Sequence, residues 1–194
     1  MLNQNINNLG TPPLYIKEGA TDNIEYKCSS NAYMIAHTHP TGGNTAPSPS
    51  DVISLVNAYR GLPGQQGLVR SLNIQASVIF GHDGSEYMIC VDDRSKLSNF
   101  CNNSLNSNFF EKNGSGFKSG SIFDSYYNNA RTNLLNQGYS VNDAQSYALS
   151  YVLDYYSTGL KISKKETGKT DFKEQKTELT TTVSNTVYSP TICP

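Results

Sequence analysis

The sequence lacks tryptophan, has only three histidines and carries no excess of charge of either sign, with 15 Lys and Arg residues against 16 Asp and Glu. This balance gives no electrostatic footprint for nucleic acid or an anionic membrane, so we expect neither as a partner. The chain also has no apolar run long enough to cross a membrane, and its first residues lack the basic and apolar regions of a signal peptide. Its 194 residues are sufficient for one domain with a substantial core.

The cysteines do not form a paired motif. Cys28, Cys90, Cys101 and Cys193 are scattered without C-x-x-C spacing, which argues against a zinc ribbon or a redox motif. Cys28 and Cys90 lie in apolar, strand-like runs, and we predict that both are small core residues.

Two of the three histidines lie in one short stretch, Ala36-His37-Thr38-His39-Pro40, and a carboxylate follows at Asp51. Because alternate residues of a strand point to the same face, His37 and His39 are predicted to project together. Asp51 begins a predicted helix that can fold back beneath them. Two imidazoles and a carboxylate suit a zinc ion whose fourth position stays open, as catalytic zinc requires.

The same residues also have a purely structural interpretation. Ser48-Pro49-Ser50-Asp51 is a good helix start, with Ser as N-cap and Pro at the first helical position. Capping explains Ser48 and Asp51 without a metal. It does not explain the His37-x-His39 pair, which a strand has no structural need for.

The order of these residues resembles the motif of the JAMM metalloenzyme family: His-Ser/Thr-His-Pro, then Ser-x-x-Asp, with a glutamate upstream. The resemblance covers roughly residues 14–92. It implies an α+β fold of the MPN/JAB, cytidine-deaminase-like architecture, in which a curved mixed or antiparallel sheet is flanked by helices. Here that fold would carry extra C-terminal helices and a β-hairpin. Characterised eukaryotic members are zinc isopeptidases, and the proportions of this chain are most similar to JAB-like domains of bacterial polymorphic toxins.

By this resemblance His37, His39 and Asp51 are the zinc ligands, and Ser48 stabilises the oxyanion of the reaction. The segment Pro40–Pro47 is one residue longer than the family pattern, and the extra residue falls in turn-forming sequence. The general base would be Glu25 or Glu18. We favour Glu25, because a hairpin turn near residues 29–31 would place it opposite residues 36 and 37; either glutamate could instead be a solvated charge.

The remaining pattern predicts the organisation of the chain. Residues 1–13 form a flexible lead or linker remnant, and residues 14–194 form one domain, with a metal-site core at 14–92 and a C-terminal extension at 93–194. Strands are predicted at 24–28, 33–37, 76–80, 86–91, 160–164 and 172–179, and helices near 50–60, 94–103, 122–137 and 141–157. Residues 102–121 are predicted to be a loop or an aromatic-pinned flap, and His82 an exposed turn residue.

The function predicted from these observations is that of a zinc-dependent metalloprotease or isopeptidase acting on a protein or peptide. By analogy it is the effector domain of a secreted toxin that acts in a target-cell cytosol, with an immunity protein as partner, although a cytoplasmic enzyme fits the sequence as well. Two alternatives stay open: a non-catalytic MPN-like scaffold that binds another protein, and a metal-dependent nuclease.

Overall fold

In the computed structural model, residues 33–60, 73–104, 109–111, 116–181 and 186–193 are described, and they form one mixed β-sheet with four helices. The helices are α1 (Pro49–Arg60), α2 (Arg94–Ser104), α3 (Ile122–Asn136) and α4 (Val141–Tyr155). The strands are β1 (Met34–Thr38), β2 (Ala76–Phe80), β3 (Glu86–Val91), β4 (Leu160–Lys165), β5 (Lys173–Thr181) and β6 (Thr186–Ile192).

The six strands lie in the sheet in the order of the chain. β1 and β2 are parallel and are joined through α1, whereas every later neighbour pair is antiparallel. The expectation of an α+β fold with a mixed sheet is therefore confirmed. β4, β5 and β6 extend the sheet that begins with β1, so the strands of the 93–194 region continue the sheet of the 14–92 region.

The helices follow the periodicity and capping signals of the sequence. Val52, Leu55, Val56 and Tyr59 share one face at helical spacing in the sequence, and they lie on the buried side of α1. Ser140 caps α4, where its hydroxyl accepts the N–H of Asp143. These local signals were sufficient because each depends on residues within a single turn.

β6 was not predicted from the sequence. Its residues Thr186–Ile192 include β-branched and aromatic residues, but also Pro190, which pairs with Thr177 of β5. Proline removes a backbone donor and is tolerated on an edge strand, and β6 ends the described sheet. The predicted strand 24–28 lies outside the described residues.

One hydrophobic core joins the two parts of the chain. It contains side chains of all four helices together with Ile35 of β1, Ile79 of β2, Ile89 of β3, Ile162 of β4 and Tyr188 of β6. Within this core α4 packs against α3, β4 and β5. No helix in the described ranges combines the length and the apolar character needed to cross a lipid bilayer.

Two predictions about cysteines have different outcomes in the structure. Cys90 was predicted to be a core residue, and this prediction is wrong. Its side chain is only half buried, and its thiol donates weakly to the carbonyl of Lys161. Cys101 on α2 is the buried one. Cys28 lies outside the described residues.

Candidate metal centre

β1 carries His37 on the face of the sheet that the core covers. In the parallel pair His37 lies beside Ile79, which is fully buried, and two residues earlier Ile35 is also buried. His39 follows the end of β1, and its N–H donates to the carbonyl of Phe80 at 2.9 Å. This bond continues the extended conformation beyond the strand, so the rings of His37 and His39 share a face, as the period of two predicts, with centroids 5.2 Å apart.

The N-terminus of α1 carries Asp51 towards the same point. The helix begins at Pro49, and Asp51 in its first turn is only 6% exposed. The N–H of Ser48 donates to Asp51 Oδ2 at 2.7 Å, which is the acidic half of a capping box. The capping interpretation is thus correct for Asp51, but it accounts for only one of the two carboxylate oxygens, because Oδ1 faces His37 and takes no part in the cap.

The three side chains converge to distances that suit a metal ion. His37 Nε2 lies 2.9 Å from Asp51 Oδ1, His39 Nε2 lies 3.5 Å from Asp51 Oδ2, and the two Nε2 atoms are 3.2 Å apart. Ligand atoms held about 2.0–2.1 Å from a tetrahedral ion are about 3.3 Å from one another. Among the His, Cys, Asp and Glu side chains of the described ranges, these three form a group that could hold a metal ion.

One ring nitrogen of His39 is committed to a hydrogen bond that fixes its tautomer. Nδ1 lies 2.8 Å from the backbone carbonyl of Asn44. A carbonyl oxygen only accepts, so Nδ1 must carry the proton. When the ring is neutral, its lone pair is therefore on Nε2, the nitrogen that faces His37 and Asp51. Orientation of this kind by a second hydrogen bond is typical of histidine ligands to metals.

The electrostatics of the trio favour a positive charge between its members. Burial raises the pKa of the Asp51 carboxyl, but the hydrogen bonds from His37 and His39 outweigh it and hold the pKa well below its usual range. Burial lowers the pKa of the His39 imidazole, but the hydrogen bond and charge of Asp51 outweigh that effect and raise it. An ionised carboxylate beside two imidazoles attracts a proton or a metal cation.

Ser48 lies at the site, but its hydroxyl is already engaged. Ser48 Oγ donates to Asp51 Oδ2 at 2.7 Å and lies 2.6 Å from Ser50 Oγ. A hydroxyl has a single proton, so in this arrangement Ser50 donates to Ser48 and Ser48 donates to Asp51. Ser48 therefore steadies the carboxylate, and the oxyanion role predicted for it would require its proton to rotate away.

The segment between the histidines and α1 is held by residues that the sequence analysis missed. We call residues 40–48 the connector. Gln145 and Asn142 of α4 and Asp83 of the β2–β3 turn hydrogen-bond to it at 3.0–3.1 Å. No local signal identifies these residues, because Gln145 lies 99 positions along the chain from its partner Ala46.

Three other residues were considered in the sequence analysis: two glutamates as general bases and His82 as an exposed turn residue. Glu25 and Glu18, the candidate general bases, lie outside the described residues. His82 is exposed in the β2–β3 turn, as predicted. The metal ligands suggested by the sequence are thus brought together, whereas the position of the base is not described.

Comparison of the chain with protein-family models, with curated proteins and with solved structures gave no match. The chemistry of the site is therefore argued from its geometry. Three converging donors on a strand end and a helix start, two of them nitrogens and one an oxygen, form a partly buried cation site that could hold a metal ion.

Proposed function

We propose that this chain is a zinc-dependent metallopeptidase of the JAMM type that hydrolyses peptide or isopeptide bonds. The observation that carries the proposal is the convergence of His37, His39 and Asp51 to within the ligand spacing of a single ion. Three protein ligands of this kind are the donor set of catalytic rather than structural zinc sites, since structural sites use four. The toxin-like proportions of the sequence further suggest an effector domain.

A bound zinc ion would supply Lewis-acid polarisation of the substrate carbonyl and acidification of a water molecule. The side chains contribute the geometry around it. His37, His39 and Asp51 would hold the ion, and the carbonyl of Asn44 orients the His39 ring. The N–H of Ser48 keeps Asp51 Oδ2 hydrogen-bonded even when the Ser48 hydroxyl turns towards a substrate oxygen. That rotation makes oxyanion stabilisation by Ser48 compatible with a fixed carboxylate.

Proton transfer requires a further carboxylate. Glu25, or alternatively Glu18, would accept a proton from the attacking water and return it to the leaving amine. Removal of such a group lowers the rate by about 100- to 10,000-fold without removing a zinc ligand. Loss of activity with retention of zinc is therefore the signature that distinguishes the base from the ligands.

The charge distribution disfavours the nuclease alternative. Four lysines of β4 and β5 form ion pairs with carboxylates. The pairs are Lys161–Glu174, Lys164–Asp143, Lys165–Glu86 and Lys176–Glu178. These pairs neutralise the lysines rather than leave a basic surface. Phosphate contacts dominate nucleic-acid affinity, so the paired lysines count against a nucleic-acid substrate.

Metal analysis tests the site directly. We expect one equivalent of zinc in the purified protein, its loss in His39→Ala, and its retention in His82→Ala. His82 is the matched control, because it is the one other histidine of the chain and lies in an exposed turn. Absence of zinc from the native protein in zinc-supplemented buffer, or full zinc content in His39→Ala, would contradict the proposal.

Activity on peptides and on ubiquitin-like conjugates tests the catalytic step. We expect Glu25→Gln to lower the rate of cleavage by about 100- to 10,000-fold with zinc retained, and Glu18→Gln to do so only if that residue is the base. A zinc-loaded native protein that cleaves neither class of bond would favour the scaffold alternative.

A further inference from the structure

The connector is held from outside by a helix that begins about a hundred residues later in the chain. Thr45 and Ala46 are at most 1% exposed, so the middle of the connector lies inside the protein. Buried backbone carbonyls require donors. For Ala46 and Pro47 the donor is one side-chain amide, Nε2 of Gln145, at 3.1 and 3.0 Å.

The other end of the same amide reaches the residue that orients His39. Gln145 Oε1 accepts from Asn44 Nδ2 at 3.0 Å, and the Asn44 carbonyl accepts from His39 Nδ1 at 2.8 Å. The amide nitrogen of Gln145 must face the two connector carbonyls, which only accept, and its oxygen must face the Asn44 NH₂ group, which only donates. These partners permit a single orientation of the Gln145 amide. Gln145 is therefore linked to the His39 ring through Asn44, by one hydrogen bond on each side of that residue.

Gln145 is itself held firmly. It is 6% exposed and lies near the start of α4, which packs against α3, β4 and β5. Two positions earlier Asp143 forms an ion pair with Lys164 of β4 at 2.9 Å, and Asn142 Oδ1 accepts the N–H of Thr45 at 3.0 Å. The start of α4 is thus anchored to the sheet on one side and to the connector on the other.

We propose that Gln145 is a positioning residue of the metal centre, which fixes the connector so that the Asn44 carbonyl holds His39 with Nε2 directed at the ion. The inference rests on the proposed metal function and extends it to α4. Gln145 touches neither the ion nor a substrate. It acts through the connector, which leads from His39 to Asp51, and thereby determines the separation of two ligands that belong to different elements.

The expected effect is on metal affinity rather than on folding alone. Gln145→Ala removes both donors to the buried carbonyls and the acceptor of Asn44, so the connector relaxes and the Asn44 carbonyl shifts. Substitution of outer partners that orient metal ligands weakens metal binding by about 10- to 100-fold. We expect a loss in this range for zinc and cobalt.

The experiment compares Gln145→Ala with a matched control, Gln175→Ala. Gln175 on β5 is 2% exposed, and its amide makes none of the hydrogen bonds that hold the connector. The control loses the same atoms from a buried position without touching the connector. A second variant, Asn44→Ala, removes an exposed side chain that donates to Gln145 and leaves the backbone carbonyl of residue 44 in place.

Three measurements are made on each protein. Chelator competition gives the affinity for Zn²⁺ and Co²⁺, and the visible absorption of the Co²⁺ form reports ligand geometry. Long-range ¹H–¹⁵N spectra of the metal-free protein, at a pH where His39 is neutral, report which ring nitrogen carries its proton.

The inference is supported if Gln145→Ala binds metal at least tenfold more weakly with a changed Co²⁺ spectrum, while Gln175→Ala matches the native protein. It is overturned if Gln145→Ala binds metal with native affinity and spectrum. Should Gln145→Ala not fold, Asn44→Ala decides, and a native affinity and spectrum there overturn the inference.

A native protein that binds no metal would refute the proposed function, and the ring spectra then decide the present inference separately. A His39 proton that is on Nδ1 in the native protein and redistributes in Gln145→Ala, but not in Gln175→Ala, supports it. An unchanged His39 tautomer in Gln145→Ala overturns it.

Discussion

The two ends of α4 are held by different kinds of contact. At its start, Asn142 and Gln145 form hydrogen bonds to the connector of the metal centre. Just beyond its end, Tyr156 stacks on Phe123 with ring centroids 4.1 Å apart, and Phe109 packs on the same ring. The ends are separated by roughly 21 Å, because α4 has 15 residues and rises about 1.5 Å per residue.

α4 therefore serves two purposes, one at each end. Aromatic packing removes apolar area from water with little directional demand, and it supplies most of the free energy. A buried hydrogen bond contributes only about 1 kcal/mol net, but it fixes orientation. The aromatic end is therefore expected to determine whether the protein stays folded, and the polar end whether the site has the correct geometry.

The largest expected effect is at the aromatic end. Phe123 is fully buried and contacts the rings of the 109–117 region and of α2. Phe123→Ala should lower the free energy of unfolding by about 3–5 kcal/mol, because it leaves a cavity in the core. Denaturant unfolding measures the loss. Zinc affinity of the protein that remains folded should stay native, and a tenfold loss there would show that the two ends are not independent.

An intermediate effect is expected where the β2–β3 turn supports the connector. A Cβ added to Gly81 would lie 2.6–2.8 Å from atoms of Asp83, Thr45 and Ser85. Gly81→Ala should therefore destabilise the protein by about 1–3 kcal/mol through overpacking and also weaken zinc binding, because Thr45 must shift.

Gly43→Ala is the matched control within the connector itself. A Cβ there meets only the carbonyl of Pro40, at 3.5 Å, which is an ordinary contact. Thermal unfolding and chelator competition should separate the two variants. Equal zinc affinities for Gly81→Ala and Gly43→Ala would show that the turn does not brace the site.

The smallest expected effect is the pH dependence of the metal-free site. The raised pKa of His39 stabilises the folded protein fully below pH 6.5, and this contribution is lost as the pH rises through the folded pKa. The lowered pKa of Asp51 stabilises it above about pH 3.8, and this contribution is lost as the pH falls towards the folded pKa. The melting temperature with a chelator should therefore decline above pH 6.5.

Zinc should reverse the upper part of this profile. A metal ligand must be deprotonated, so zinc stabilises the protein more as the pH rises from 6 to 8. Melting curves with chelator and with excess zinc, for the native protein and His39→Gln, test the sign. A native protein whose melting temperature changes identically with pH in both buffers would contradict a metal site at His39.

Local sequence was sufficient for the elements with strong periodic or capping signals. Asp83-Gly84 is a strong turn signal between the predicted strands 76–80 and 86–91, which form the β2–β3 hairpin, and the buried side of α1 follows from its apolar spacing. β6 was missed because Pro190 interrupts a run of β-branched and aromatic residues, and a proline weakens the strand signal of such a run. Its pairing depends on β5, which is a neighbour only in the folded protein.

The contrast between local signals and tertiary contacts also applies to residues 102–121, which were predicted to be a loop or an aromatic-pinned flap. Phe110 and Phe117 form a β-bridge, and the aromatic rings pack around Phe123. The pinning by aromatics is therefore observed, but at the far end of α4 from the metal centre. The sequence identified the aromatic side chains, but it did not predict where in the fold they pack.

From the sequence alone it was possible to predict which side chains form the candidate metal centre and how each leaves its own element, because strand alternation and helix capping act over two or three residues. Only the tertiary structure decided that His37, His39 and Asp51 meet at ligand spacing, and that Gln145 holds the connector between them. Such contacts join positions up to a hundred residues apart and form only when the helices pack on the sheet. No pattern along the chain encodes them.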